Sequence, residues 1–159
     1  LTEVYLLLGS NLNKPALQLN IALQHITEKA GELIVQSPVY RSSPWGVSDQ
    51  PEFANQVILL QTSFSPFELL QCLQKIEHTM GRERIVKWGS RIIDIDILYY
   101  GKSIITNPAL KVPHPELSNR RFTLVPLCAI APAFIHPVWN VSNQTILQRC
   151  TDEGHVEEI

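Results

Sequence analysis

The chain has 159 residues, of which 45% are hydrophobic and 18% charged, with a formal net charge of −2. That length suits one domain with a real core, and the composition is that of a globular protein. The slight negative charge argues against a general electrostatic grip on nucleic acid or anionic membrane, and no apolar run approaches the ~20 residues needed to span a bilayer.

The opening "LTEVYLLLGSNL" has a short apolar segment but no basic n-region, so no signal peptide is expected. Within it, 3–9 reads as a first strand, and "GSN" at 9–11 as a tight turn, too short alone to cradle a phosphate. Leu17 and Ile21, flanked by Leu19, Leu23 and Ile26, recur at helical spacing up to Gly31. A strand is predicted over 32–42, with Pro38 marking an edge or bulge. Residues 43–51 collect Pro, Gly, Ser and Asp and read as a loop, and 53–63 as the third strand.

The second helix is announced by an S-x-x-E capping box, Ser65 and Glu68, with Pro66 at the first helical position. Leu69, Leu73, Ile76 and Met80 form its buried stripe and Gly81 its stop. A basic loop, 82–90, leads into the strand 91–100. Gly101 and Lys102 turn the chain back, and the Pro-rich remainder holds one short helix around 123–130. The first hundred residues thus spell β-α-β-β-α-β, the ferredoxin-like order in which an antiparallel sheet carries two helices on one face. A hairpin and helices extend that core. No repeat, low-complexity segment or linker divides 1–159, so one domain is expected. Cys72, Cys128 and Cys150 are odd in number and lack CxxC spacing, which suits reduced thiols in a cytoplasm.

The strand "RIIDIDILYY" raises the chemical question. Side chains two apart share a face, so Asp94 and Asp96 point the same way while Ile93, Ile95 and Ile97 can bury on the other. Two carboxylates roughly 7 Å apart or less repel unless a cation sits between them. A lone D-x-D is as often two acids on a solvated face. The preceding "RERIVKWGSR" shifts the balance, because Arg82, Arg84, Lys87 and Arg91 supply the cations that a polyphosphate–Mg²⁺ complex also requires. No G-x-x-x-x-G-K-[ST] is present, which excludes a P-loop. His114, between two prolines in "VPHPELSNRRF", has Arg120 and Arg121 nearby as further phosphate ligands. Asn55 enters an otherwise apolar strand, where a buried amide needs partners for donors and acceptor alike; a heterocyclic edge would serve. His25, His78, His136 and His155 have no informative neighbours, and Phe53 and Phe122 read by default as core.

Together, "RSSPWGVSDQPEFAN" (41–55), "KWGSRIIDIDIL" (87–98) and "VPHPELSNRRF" (112–122) resemble the 6-hydroxymethyl-7,8-dihydropterin pyrophosphokinase family of folate biosynthesis. The likeness runs from about residue 4 to about 135. It implies transfer of pyrophosphate from ATP to the pterin's hydroxymethyl oxygen with release of AMP. On that resemblance Asp94 and Asp96 hold two Mg²⁺ ions, and Arg82, Arg91, His114 and Arg120 bind phosphates. Phe53 and Phe122 sandwich the pterin while Asn55 reads its edge, and Ser42, Ser43 and Trp45 complete the pterin loop. Gln74 and Glu77 lie near the nucleotide, and Arg84, Lys87 and Trp88 in a loop that closes over ATP. The sequence departs from the family's common residues at Ser42, Ser43, Trp45, Lys87, Ala109 and Lys111, and has Phe53 for a frequent Tyr. Nothing in this set calls for a second subunit, so a monomer is expected, with no nucleic-acid or membrane partner. An RNA-binding module on the same scaffold is the rival, but acids on the open sheet face would repel a phosphate chain lacking metal.

Overall fold

The two longest apolar runs pair with each other. In the computed structural model, which describes residues 1–43, 52–82 (the backbone alone of Arg82) and 92–159, β1 (Thr2–Ser10) and β4 (Phe53–Thr62) are antiparallel in unbroken register from Thr2 opposite Thr62 to Ser10 opposite Ala54. The other edge of β1 takes β5 (Asp94–Tyr100), also antiparallel. On its far side β4 is paired by β2 (Glu32–Gln36) and β3 (Tyr40–Ser42), and β8 (Val156–Glu158) covers the outer edge of β3. The sheet therefore runs β5-β1-β4-β3-β8, with β2 beside β4.

The single strand expected over 32–42 is two strands. Pro38 has no N–H for the ladder, and Ser37 bridges the break: its N–H donates to the Val57 carbonyl at 2.8 Å, and its hydroxyl accepts from the Val57 N–H at 3.0 Å.

One face of the sheet carries α1 (Pro15–Lys29) and α2 (Pro66–Arg82). The stripe of α1 follows the expected spacing except at Leu17, with Ile21 and Leu23 packed against the core. Leu19, Ala22 and Ile26 are buried at i, i+3, i+7, whereas Leu17 is 44% exposed. Asn13 and Lys14 take positive φ and the first helical residue is Pro15, so Leu17 lies in the first turn. In α2 the capping box forms as expected, Ser65 N–H to Glu68 Oε1 at 3.0 Å and Glu68 N–H to Ser65 Oγ at 3.3 Å. Leu69, Leu73, Ile76 and Met80 are all buried against Leu6, Ile58 and Ile95 of the sheet's inner face.

Among the described residues the opposite face is covered at one end only. There α3 (Arg121–Ile130) and α4 (Asn143–Arg149) pack over Tyr5, Leu7, Val57 and Leu59. An irregularity between Tyr5 and Leu6 in the β1–β5 ladder lets consecutive Leu98 and Tyr99 both join that second core. A two-stranded hairpin, β6 (Ile105–Asn107) and β7 (Leu110–Val112), and a 3-10 turn at Leu117–Asn119 link β5 to α3. The helix expected at 123–130 begins two residues earlier, and α4 has too short a pattern to stand out in sequence. No helix among the described residues is long and apolar enough to cross a membrane. The uncovered end of the second face holds the polar strand residues.

Candidate active site

Three strands place one row of residues across the uncovered end. Gly9 of β1 pairs with Asn55 of β4 on one side and with Asp94 of β5 on the other. The next row on the same face is Leu7, between Val57 and Asp96. The alternation of strands thus brings the two acids and the amide to one surface, with Asn55 and Asp94 separated by about 10 Å, two strand spacings. Asp94 is exposed and Asp96 half-buried, while Ile93, Ile95 and Ile97 are buried on the helix side as their alternation requires. A cavity of about 430 Å³ opens over this row.

Its walls come from sequence-distant elements. Phe53, Ser42 and Ser43 line one side, Arg120 and Phe122 the other, with Leu7, Gly9, Asn55, Asp94 and Asp96 between them. Asn55 is 3% exposed and donates from Nδ2 to Ser42 Oγ at 2.8 Å. Gly9 is not the turn that "GSN" suggested; it lies within β1, and a Cβ there would stand 3.2 Å from Asn55 Oδ1. A side chain at this point would crowd the amide and rise into the cavity. The guanidinium of Arg120 lies over the Phe122 ring, 5.6 Å from its centre, so a cation and a flat wall are presented together.

His114 follows a cis Val112–Pro113 bond, and its N–H holds the Leu98 carbonyl at 2.9 Å, tying this loop to the acid-bearing strand. Nδ1 accepts the Glu116 N–H at 3.1 Å, which assigns the proton of the neutral ring to Nε2. Burial pushes the imidazole below its ordinary value; the Asp96 charge opposes this, Arg120 reinforces it and Glu116 opposes it. His114, Asp96 and Arg120 therefore share one electrostatic neighbourhood although only the latter two line the cavity.

On α2 the two nucleotide candidates stand apart from that cavity, toward the β5 edge. Glu77 Oε2 accepts the Ile95 N–H at 2.9 Å, holding the margin of β5 between the two aspartates. Gln74 is exposed one turn earlier. Trp45, Arg84, Lys87, Trp88 and Arg91 lie outside the described residues, as does the side chain of Arg82. Four cavity residues escaped sequence reasoning: Leu7, which read as plain strand, Gly9, which read as part of a turn, and a further pair, Glu116 and Asn119. Both sit in the "VPHPELSNRRF" stretch already singled out, and their signal was only polarity between two recognised positions. Their mutual contact, Asn119 Nδ2 to Glu116 Oε2 at 3.2 Å, shapes the 3-10 turn at the cavity rim.

Among the described residues no group of three or more His, Cys, Asp or Glu is gathered to hold a metal ion by itself. Asp94 and Asp96 are a two-carboxylate set. Mg²⁺ commonly takes one or two carboxylates and completes its shell with waters and substrate phosphate oxygens, whereas structural Zn²⁺ needs a closed protein cage. This donor set fits a hard cation that arrives with a polyphosphate.

A family model described as 7,8-dihydro-6-hydroxymethylpterin-pyrophosphokinase (HPPK) matches residues 5–132. The chain belongs to this family. All the cavity residues named above fall within the matched stretch of this pyrophosphokinase family, while α4 and β8 lie beyond it. It is 42% identical over 145 residues to the 2-amino-4-hydroxy-6-hydroxymethyldihydropteridine pyrophosphokinase of Haemophilus influenzae, covering 91% of each chain. The protein of that name from Pseudomonas aeruginosa is 45% identical over 132 residues, 82% of this chain and 81% of its own. In three dimensions the chain is similar to Plasmodium falciparum HPPK-DHPS crystallised with pteroate, at a TM-score of 0.76 and 17% identity. That likeness covers 93% of this chain but 42% of the other, and at such identity it is the fold that is shared.

Proposed function

We propose that this cavity carries out the family reaction, transfer of a pyrophosphoryl group from ATP to the hydroxymethyl oxygen of 6-hydroxymethyl-7,8-dihydropterin with release of AMP. The observation that carries the assignment is the row Asn55–Gly9–Asp94. A flat heterocycle gripped by its polar edge at Asn55 can reach the acids across a residue that has no side chain.

In this reading Phe53 and Phe122 hold the pterin ring and Ser42, Ser43 and Trp45 border it. Asp94 and Asp96 hold Mg²⁺, two ions by analogy with the family. Bound there, the metal would neutralise phosphate charge and make the acceptor hydroxyl easier to deprotonate. Arg82, Arg91, His114 and Arg120 bind the phosphates; a neutral His114 with its proton on Nε2 is a hydrogen-bond donor at that point. Glu77 serves from behind, fixing the β5 backbone, and with Gln74, Arg84, Lys87 and Trp88 belongs to the nucleotide side. The chemistry needs in-line placement and charge stabilisation rather than a covalent nucleophile.

Counting β2 and β3 as one interrupted strand makes the core ferredoxin-like. Residues 1–159 act as one domain, since both apolar clusters share one sheet. The residue set calls for no second subunit, in keeping with a monomer, and the three free cysteines suit a reducing cytoplasm. Incubation with ATP, Mg²⁺ and the reduced hydroxymethylpterin tests the assignment. AMP and pterin pyrophosphate should appear in equal amounts; ADP as the main product would overturn it.

A further inference from the structure

Residues 152–159 lie beyond the stretch that matches the family, which ends at 132, yet they touch both walls of the cavity. On one side β8 pairs with β3, Val156 opposite Ser42, Glu157 opposite Arg41 and Glu158 opposite Tyr40. Glu157 also binds the Arg41 side chain at 2.6 Å, and the Ile159 N–H reaches the Val39 carbonyl at 2.9 Å. Ser42 in turn pairs with Phe53 and receives the Asn55 amide. The pterin-facing end of β3 is thus held between two strands.

On the other side the tail completes a helix. The first residues of α3 carry Arg120 and Phe122, and its N-cap Arg120 provides no side-chain cap. Helix starts leave backbone N–H groups without intrahelical partners, and a carboxylate there satisfies one and meets the positive end of the dipole. Asp152 does this from a distance in sequence: Oδ2 accepts the Arg121 N–H at 2.9 Å. Its Oδ1 accepts the Gly154 N–H at 2.9 Å, and the Gly154 carbonyl accepts Arg121 Nε at 3.2 Å. Both walls are therefore joined behind the cavity through one short run of chain.

We propose that Asp152 is a positioning residue for the pterin slot, capping α3 from the tail so that the Phe122 wall keeps its distance from the Phe53 wall. This rests on the pterin reading of the cavity. The mechanical reason is that stacking and edge recognition are lost when a wall moves by about 1 Å, an error that costs on the order of 100-fold in placed chemistry. A tail that only added stability would shift the melting temperature and leave ligand recognition alone.

The full chain, as wild type, Asp152→Ala, Phe122→Ala and the double variant, is titrated with 6-hydroxymethyl-7,8-dihydropterin in the presence of Mg²⁺ and a non-hydrolysable ATP analogue. Asp152→Ala should weaken pterin binding about tenfold, less than full misplacement of the wall would cost because β8 still ties the tail to β3. Asp152→Asn, which still offers one acceptor oxygen, should recover most of the affinity. In the double variant the two losses should not multiply, because the wall that Asp152 positions has lost its ring. Wild-type affinity in folded Asp152→Ala, or a fully multiplicative cycle, overturns the proposal. If Asp152→Ala does not fold, the cycle is run with Asp152→Glu, whose longer arm keeps a carboxylate at the helix start but displaces the helix it caps, and judged the same way. No pterin binding by the unchanged chain would instead sink the functional reading itself.

Discussion

Asn143 and Asn55 are both buried, 0% and 3% exposed, yet at the two ends of the sheet their amides meet different surroundings. At the first residue of α4, Asn143 has its amide groups paired within the protein. Its Nδ2 donates to the Ala131 carbonyl at 2.8 Å, its Oδ1 accepts the Tyr99 hydroxyl at 2.7 Å, and its own N–H reaches the Phe134 carbonyl at 3.0 Å. Tyr5, Tyr99 and Phe134 pack around it edge to face or tilted. At the other end Asn55 bonds Ser42 through Nδ2 and presents Oδ1 beside Gly9, in the cavity. Burial alone does not tell a closed amide from one that opens onto a cavity. What separates them is whether the protein supplies the partners or leaves room for a ligand to do so.

The largest expected effect tests the open end. Asp96→Ala should cut turnover by orders of magnitude, as loss of a metal ligand does, while the fold holds, since removing one acid relieves repulsion with Asp94. Near-normal rates at saturating Mg²⁺, with an unchanged melting curve, would show that the acids are mere surface charges.

The mirror experiment is Asn143→Ala, which strands the Tyr99 hydroxyl and the Ala131 carbonyl at about 1–3 kcal/mol each. Denaturant unfolding should register the loss, and the pterin KM of the folded fraction should stay put. An altered KM would mean the closed end is not merely structural.

Asn55→Ala should reverse that pattern. It leaves a ligand edge unpaired at about 1–3 kcal/mol, so separate titrations should find pterin weakened and ATP spared. Equal weakening of both would make Asn55 structural after all.

Gly9→Ala probes the gap between Asn55 and Asp94. Its Cβ meets only the Asn55 amide closely, at 3.2 Å, and the Ala54 carbonyl at 4.0 Å. Stability should stay within about 1 kcal/mol of wild type, and pterin affinity should fall by about 1 kcal/mol. Calorimetric titration that finds equal affinity would place the ligand elsewhere.

The smallest effect lies in the closed end. His136 accepts the Val138 and Trp139 N–H groups on Nδ1, both at 3.2 Å, and burial lowers its pKa from the usual 6.5. The unfolded chain therefore binds a proton more readily than the folded one. The stability this ring contributes is present above pH 6.5 and is lost as the pH falls through the lower folded value. Melting temperatures measured from pH 7.5 down to 5 should decline less steeply in His136→Gln; parallel curves would remove His136 from the account.

How much of this was legible beforehand follows from the range of the forces involved. The capping box at Ser65 and Glu68, the α2 stripe and the alternation around Asp94 and Asp96 depend on neighbours within four residues, and each is found as expected. In α1 the expected Leu19 and Ile26 are buried and Ile21 and Leu23 pack against the core, while Leu17, in the first turn, is exposed. The strand over 32–42 was read as continuous because the partner that compensates for Pro38 is Val57, about twenty residues away.

Phe53 and Phe122 entered the candidate site only through the family resemblance; by itself the sequence singled out as candidates two same-face acids, an amide in an apolar strand and a histidine among arginines. Local periodicity and the chemistry of each side chain suffice for that. Only the tertiary structure decided that Gly9 separates the amide from the acid, that Glu77 holds the edge of β5, and that Asp152 caps the helix bearing Phe122. Those relations join residues 18 to 85 positions apart, from Glu77 and Ile95 at 18 to Gly9 and Asp94 at 85. They arise from strand pairing and from backbone groups seeking partners, which any polar side chain in reach can satisfy; which one does so depends on the folded path of the chain.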